Sequence, residues 1–127
     1  MSGSPTVTVW FNPRCSKCRQ ARDLLEERGI AAEYRLYLEN PPSREEAQKL
    51  QALLGLSDPA GMMRAKESAW KELGLEKAGP AARLEALLQH PVLLERPIVA
   101  AGGRAVVARP PEKLLDLFED RSGSCAS

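Results

Sequence analysis

The chain is poor in the side chains that build large anchors, metal cages or one-signed fields. Trp, Tyr and Phe occur twice each in 127 residues. Trp10, Phe11, Tyr34, Tyr37, Trp70 and Phe118 are too scattered for a base-stacking platform and read as core. A zinc site needs about four ligands. Beyond Cys15 and Cys18 only His90, the single histidine, and Cys125 could contribute, so no metal is expected. Three cysteines are too few, and odd in number, for a disulfide-scaffolded secreted fold. An excess of either charge is also missing: 18 basic against 17 acidic residues leave a net +1. That field is too weak to attract nucleic acid or an anionic membrane, and any anion must be held by a local cluster. The N-terminus, Met1-Ser-Gly-Ser-Pro-Thr-Val-Thr-Val-Trp10, carries neither a basic leader nor a long apolar run, so no signal peptide or membrane span is expected. The reading is a cytoplasmic monomer that makes no nucleic-acid or membrane contact and binds no resident cofactor.

What is present suffices for one domain. Hydrophobic residues make up 43%, enough Leu, Val and Ala for a core. Thr6 to Phe11 is a β-branched and aromatic run stopped by Asn12-Pro13, which predicts a strand. Ser16 to Arg28 carries Ala21, Leu24 and Leu25 at helical spacing, with Gly29 placed for a left-handed cap. Ala32 to Leu38 predicts a second strand, parallel to the first and completing a β-α-β unit. After Pro41-Pro42, Ser43 and Glu46 form a capping-box signature for a helix ending at Gly55. Asp58-Pro59 opens another helix carrying Met62, Met63 and Arg64, the two methionines as core packing and not as metal ligands. Further helical stretches are expected over Glu67 to Leu73 and Ala81 to Gln89, with His90 at a helix end as a C-terminal cap. Gly102-Gly103, between Pro97–Ala101 and Arg104–Ala108, marks a two-residue hairpin. Pro111 to Phe118 predicts a last helix. No internal repeat is visible.

That order describes an α/β fold, a mixed four-stranded sheet with the first and last helices packed on it. This is the thioredoxin-like arrangement with a helical insertion at about 43–90, within one domain over 1–119 and with a small, polar, frayed tail at 120–127. In such a fold a cis proline faces the active cysteine, so the Arg96-Pro97 bond is expected to be cis.

Cys15-Ser16-Lys17-Cys18 is a C-x-x-C motif in the strand-to-helix loop, where open sheets place their chemistry. Two thiols one turn apart can close a small disulfide. A thiolate at a helix N-terminus is stabilised by unpaired N–H groups, here including those of the Ser16-Lys17 segment, and by the helix dipole. Arg14, Lys17 and Arg19 add positive charge. Cys15, at the mouth of the loop, is therefore the expected nucleophile, and Cys18, a turn into the helix, is a possible resolving thiol. The bland alternative is two small buried hydrophobes. Arg96 and Arg109 each stand at a strand boundary next to proline, and Arg64 follows the methionine pair. Singly, each would be an ordinary solvated side chain. Together at a helix N-terminus they would form a bidentate oxyanion site.

Asn12-Pro13-Arg14-Cys15, Leu36-Tyr37-Leu38-Glu39-Asn40-Pro41-Pro42-Ser43, His90-Pro91, Glu95-Arg96-Pro97-Ile98-Val99 and Ala108-Arg109-Pro110 resemble, in the same order, the motifs of the glutaredoxin-coupled arsenate reductase family. The resemblance runs from about Val7 to Phe118. It implies a thioredoxin-like fold with an added helical segment, Cys15 as the thiolate that attacks arsenate, and Arg64, Arg96 and Arg109 as the oxyanion-holding cluster. It also implies arsenite release in arsenic detoxification, with glutathione as cosubstrate and glutaredoxin as partner, or thioredoxin if Cys18 resolves the adduct within the chain. Two positions depart from the pattern. Phe11 stands where the family carries a histidine thought to help ionise the cysteine, and Cys18 where it carries serine. The second departure makes the loop resemble the redox-sensing regulators that bind RNA polymerase through a C-x-x-C switch, a related branch. A general thiol-disulfide oxidoreductase is a third reading. The arginines and the Leu-Glu-Asn-Pro-Pro segment favour the reductase.

Overall fold

The computed structural model of the chain describes residues 7–118. The expected tail at 120–127, with Cys125, lies outside the described residues. Two compact units are present, one made of residues 7–35 and 96–118 and one of Leu36–Glu95.

The first unit is built on a mixed sheet of order β2-β1-β3-β4, the thioredoxin-like arrangement. Its strands are β1 (Val7–Phe11), β2 (Glu33–Leu36), β3 (Ile98–Ala101) and β4 (Arg104–Val107). β3 runs antiparallel to β1, with Val9 opposite Val99, and to β4, with Ile98 opposite Val107. Val9, Ile98 and Val99 are fully buried, as expected of central strands covered on both faces. Gly102 (φ 58°) and Gly103 (φ 80°) close the β3–β4 hairpin, a pair of left-handed conformations that side chains with a Cβ resist. α1 (Ser16–Glu27) buries Cys18, Ala21 and Leu25, three residues on one helical face. It ends where Gly29 (φ 71°) lets Ile30 N–H donate to the Leu25 carbonyl at 2.9 Å, satisfying an orphan acceptor. The Arg96–Pro97 bond is cis, and so is Arg109–Pro110.

Two expectations about this unit are corrected. β2 stops at Leu36, because the Leu36 carbonyl accepts from both Glu39 and Asn40 N–H (3.0 and 2.8 Å), bending Tyr37 and Leu38 out of the strand. The last helix is a 3₁₀ segment, Pro111–Leu117. Its buried residues are Pro111, Leu114 and Leu117. A strict spacing of three lines up on one face only when there are three residues per turn.

The second unit is the helical one: α2 (Arg44–Leu53), α3 (Ser68–Glu72) and α4 (Pro80–Gln89), with short 3₁₀ turns between them. The capping box at α2 is formed in both directions, Glu46 N–H to Ser43 Oγ (3.1 Å) and Ser43 N–H to Glu46 Oε1 (2.9 Å). Asp58 caps the turn Pro59–Met62 through Ala60 N–H. This turn does not carry on through Met63 and Arg64 as expected. Glu95 N–H donates to the Met62 carbonyl (2.9 Å) and Arg64 N–H to the Leu93 carbonyl (2.7 Å), so an antiparallel bridge takes the groups a helix would need. Arg83 ties the unit together, donating to Asp58 (3.1 Å) and to the Leu75 and Glu76 carbonyls (2.9 and 3.0 Å) while its guanidinium lies 5.3 Å from the Trp70 ring centre. His90 occupies the C-cap of α4.

Because the Ser43 hydroxyl satisfies an otherwise orphaned donor, Ser43→Ala is expected to cost about 1 kcal/mol in denaturant unfolding. An unchanged midpoint and slope would remove the capping box from the account of this unit.

Candidate active site

β1 ends at Phe11, and the chain reverses through Asn12-Pro13-Arg14. The Asn12 carbonyl accepts from Cys15 N–H (2.9 Å), and the Asn12 side chain accepts from Arg14 N–H (2.9 Å), a turn stabilised by its own asparagine. Cys15 thereby becomes the N-cap of α1 in an extended conformation (φ −93°, ψ 124°). An N-cap side chain looks onto the unpaired N–H groups of the first helical turn. Cys15 Sγ makes no side-chain cap hydrogen bond, yet the N–H groups of Lys17 and Cys18 are near enough to favour its anion.

The two thiols titrate in opposite directions. Partial burial pushes Cys15 up, but the Cys18 N–H, the Cys18 thiol, the Lys17 N–H and the Arg109 charge together outweigh it and leave its pKa lowered. Cys18 is fully buried. Burial, the charge of Cys15 and the hydrogen bond to it push Cys18 up to about 12, against the opposing pull of Asn12 N–H and Arg109. Cys15, partly exposed, is thus the more readily ionised of the two thiols. Cys18 is held protonated behind it, and both are free thiols.

Arg109, just beyond β4, donates from Nη1 to the Arg96 carbonyl at 2.9 Å. Alongside it, Ala108 N–H donates to the Pro97 carbonyl at 2.9 Å. The hairpin register therefore carries Arg96 and Arg109 to the same end of the sheet. Arg96 Nε–H is buried without a hydrogen-bond partner, an exception among buried polar groups. The basic residues of the loop are placed as follows. Arg19 donates to the Pro13 carbonyl (2.8 Å), Arg14 is exposed, and Lys17 contributes through its main-chain N–H. Ser16 is the exposed first residue of α1. Arg64 lies in the helical unit, where its Nη1 pairs with Glu67 at 2.6 Å. Phe11 is buried and packs edge-on against Tyr34, ring centres 5.2 Å apart, with the Arg22 guanidinium 5.8 Å from its own ring centre.

The organising role of Asn12 escaped the sequence reading, although Asn-Pro after a strand was its signal. Among the described residues no group of three or more His, Cys, Asp and Glu could hold a metal. None of the described helices is long and apolar enough to cross a membrane.

Removing the Arg109 charge disfavours the anionic form of Cys15. Arg109→Gln is therefore expected to move the alkylation midpoint of Cys15 to higher pH and to slow iodoacetamide labelling at neutral pH severalfold. A midpoint that stays in place would show that the Arg109 charge has no part in setting it.

Residues 10–117 match the ArsC family. An arsenate reductase of Neisseria meningitidis serogroup A is 50% identical over 112 residues, spanning 87% of this chain and 96% of its own. The uncharacterised protein YfgD of Escherichia coli K12 is 41% identical over 113 residues, spanning 87% and 95%. Among solved structures, an arsenate reductase from Vibrio cholerae superposes with a TM-score of 0.85 at 43% identity, over 90% of this chain and 98% of that one. Sequence and architecture agree along nearly the whole described length, and the chain belongs to the ArsC family.

Proposed function

We propose that the protein is an arsenate reductase whose nucleophile is Cys15. The observation that carries this reading is the anion-seeking N-terminus of α1. It combines a thiol with a lowered pKa, two main-chain N–H donors near enough to favour its anion, and the Arg109 charge acting on the same atom. Arg96 adds an unpartnered Nε–H in the same unit. The arsenate reductases of Neisseria meningitidis and Vibrio cholerae, at 50% and 43% identity, support the choice of substrate.

In the proposed reaction the Cys15 thiolate attacks arsenic(V). An S–As bond forms, one As–O bond breaks, and the oxygen leaves as water after taking up protons. A second thiolate then attacks Cys15 Sγ. The S–As bond breaks with its electron pair going to arsenic, which departs as arsenite. Overall, arsenic acid and two thiols give arsenous acid, one disulfide and one water. The Arg96 and Arg109 guanidiniums hold the oxyanion by bidentate bonds, and the Lys17 and Cys18 N–H groups hold the sulfur. Glutathione supplies the second thiol, and glutaredoxin returns Cys15 to the reduced state. A reducing, cytoplasmic setting fits this chemistry.

Arsenate-dependent NADPH oxidation, coupled through glutathione, glutaredoxin and glutathione reductase, tests the reading. Wild-type protein is expected to turn over and Cys15→Ser to lose several orders of magnitude in rate. Arg96→Lys should lose about tenfold or more, because an ammonium cannot reproduce the fork. Undiminished turnover in Cys15→Ser would overturn the mechanism, and an inactive wild type would overturn the substrate.

A further inference from the structure

The helical unit holds a groove that the chemistry of Cys15 does not use. It lies between α2 and α4, and its volume of about 460 Å³ falls within the roughly 300–1,000 Å³ usual for small-molecule sites. Every lining residue belongs to Leu36–Glu95. Arg44, Gln48, Gln51 and Ala52 form the α2 wall, a spacing that shares one helical face. At one end Arg44 is ion-paired with Glu85 of α4. Ala52 stands two turns on, about 12 Å along the helix axis. Leu56 is at that far end, because Gln51 Nε2 donates to its carbonyl (3.2 Å). Leu56, with the buried Pro59 and Leu84, makes an apolar floor. The groove is open there because Gly61 lacks a side chain: a Cβ at Gly61 would meet Leu56 Cδ2 at 2.6 Å and Cδ1 at 3.0 Å. Gly61 does not have the left-handed backbone of Gly29 or Gly55, so what it supplies is space for Leu56 to lie flat.

We propose that this groove binds a free α-amino acid with a large apolar side chain, its carboxylate on Arg44, its ammonium on Glu85 and its side chain on the floor of Leu56, Pro59 and Leu84. Charge complementarity selects this ligand. An anion that took Arg44 would leave Glu85 unpaired and facing a like charge, and a cation that took Glu85 would do the same to Arg44. A zwitterion gives each of them a new partner. The two side chains already touch, so the charges they fit lie close together, as on the single carbon of an α-amino acid and unlike the separated ends of a peptide. Opening the pair costs little, since the side chains are 53% and 46% exposed and a pair so wet is weakly held. The guanidinium fork suits a carboxylate, and the apolar floor gives the side chain a surface on which to leave water.

The test is a titration of the full-length, nitrogen-15-labelled chain with L-phenylalanine, followed by amide chemical shifts. It is repeated with phenylpropionate, which lacks the ammonium, and with phenethylamine, which lacks the carboxylate. L-Phenylalanine should give saturable shifts centred on α2, α4 and the segment 54–61, with a dissociation constant of about 1 mM or below. Each singly charged probe should bind about tenfold more weakly, because it leaves Arg44 or Glu85 without its partner. Arg44→Gln should weaken L-phenylalanine by a similar factor. Gly61→Ala, which pushes Leu56 off its seat and touches neither charge, should weaken all three probes about threefold or more. No saturable shift with L-phenylalanine, equal affinity for the three probes, shifts centred elsewhere, or binding unchanged in either variant would overturn the proposal. Should a variant fold poorly by thermal melting, the wild-type shift map and the ranking of the three probes decide. No arsenate is needed, so the outcome stands apart from the reductase reading.

Discussion

The site depends on one constraint: the sulfur of Cys15 sits at the N-cap of α1, where the backbone offers donors that the helix itself cannot use. An oxygen-bearing N-cap accepts from these groups at all times. A thiol gains from them in full only when it has lost its proton, because the anion is the better acceptor. The start of α1 is therefore better satisfied when Cys15 is ionised, and the reactivity of the thiol and the integrity of the first turn are linked. That placement needs a rigid approach, and β1 supplies it as an inner strand with buried Val9, Trp10 and Phe11. The Asn12 turn then spends its carbonyl on Cys15 N–H and its side chain on Arg14 N–H, leaving little freedom in the entry angle of the helix.

The contrast between the two thiols follows from how far each is buried and from what opposes burial. Desolvation is the largest influence on both and raises both. At Cys15 it is modest, and two N–H donors, a thiol and a guanidinium reverse it. At Cys18 it is larger, and the single Asn12 N–H with the same guanidinium does not. Arg109 owes its position to the hairpin. Its Nη1 rests on the Arg96 carbonyl, and Ala108 N–H on the Pro97 carbonyl. A slip of one residue between β3 and β4 would turn each β4 side chain to the opposite face and carry the charge away from the thiols. The two glycines that fix the turn are thus part of the electrostatics of the site.

The parts of this molecule legible in the sequence are those in which a residue type has one physical use. Gly29 and Gly102-Gly103 mark left-handed backbone, Ser43 with Glu46 marks a helix start, and alternating or helical apolar spacing marks β1 and α1. Less legible were segments whose hydrogen bonds are taken by something distant in sequence. Met63 and Arg64 leave their turn because Leu93 and Glu95 capture their neighbourhood, which no local pattern announces. The Pro111, Leu114, Leu117 spacing did carry a signal for a 3₁₀ coil, one that resembles a short α-helix read over a single turn. At the site, Cys15 and Cys18 stood out by motif. The nearness of Arg109 did not, since it is distant in sequence and is brought to the thiols by the sheet.

Under the proposed function, discrimination between arsenate and phosphate cannot come from the groups that bind the anion. Guanidiniums and main-chain N–H groups recognise charge and tetrahedral oxygen geometry, which the two anions share. The difference must lie at the central atom, because arsenic(V) accepts an electron pair from a sulfur bond and phosphorus(V) does not under the same conditions. A site that favours the thiolate form of its nucleophile applies that chemical test to every anion that enters. Phosphate can occupy such a site and leave unchanged, whereas arsenate leaves reduced. Selectivity of this kind resides in the transition state, so a strongly arsenate-specific pocket would add little, and the loop is better served by fixing the sulfur than by enclosing the anion.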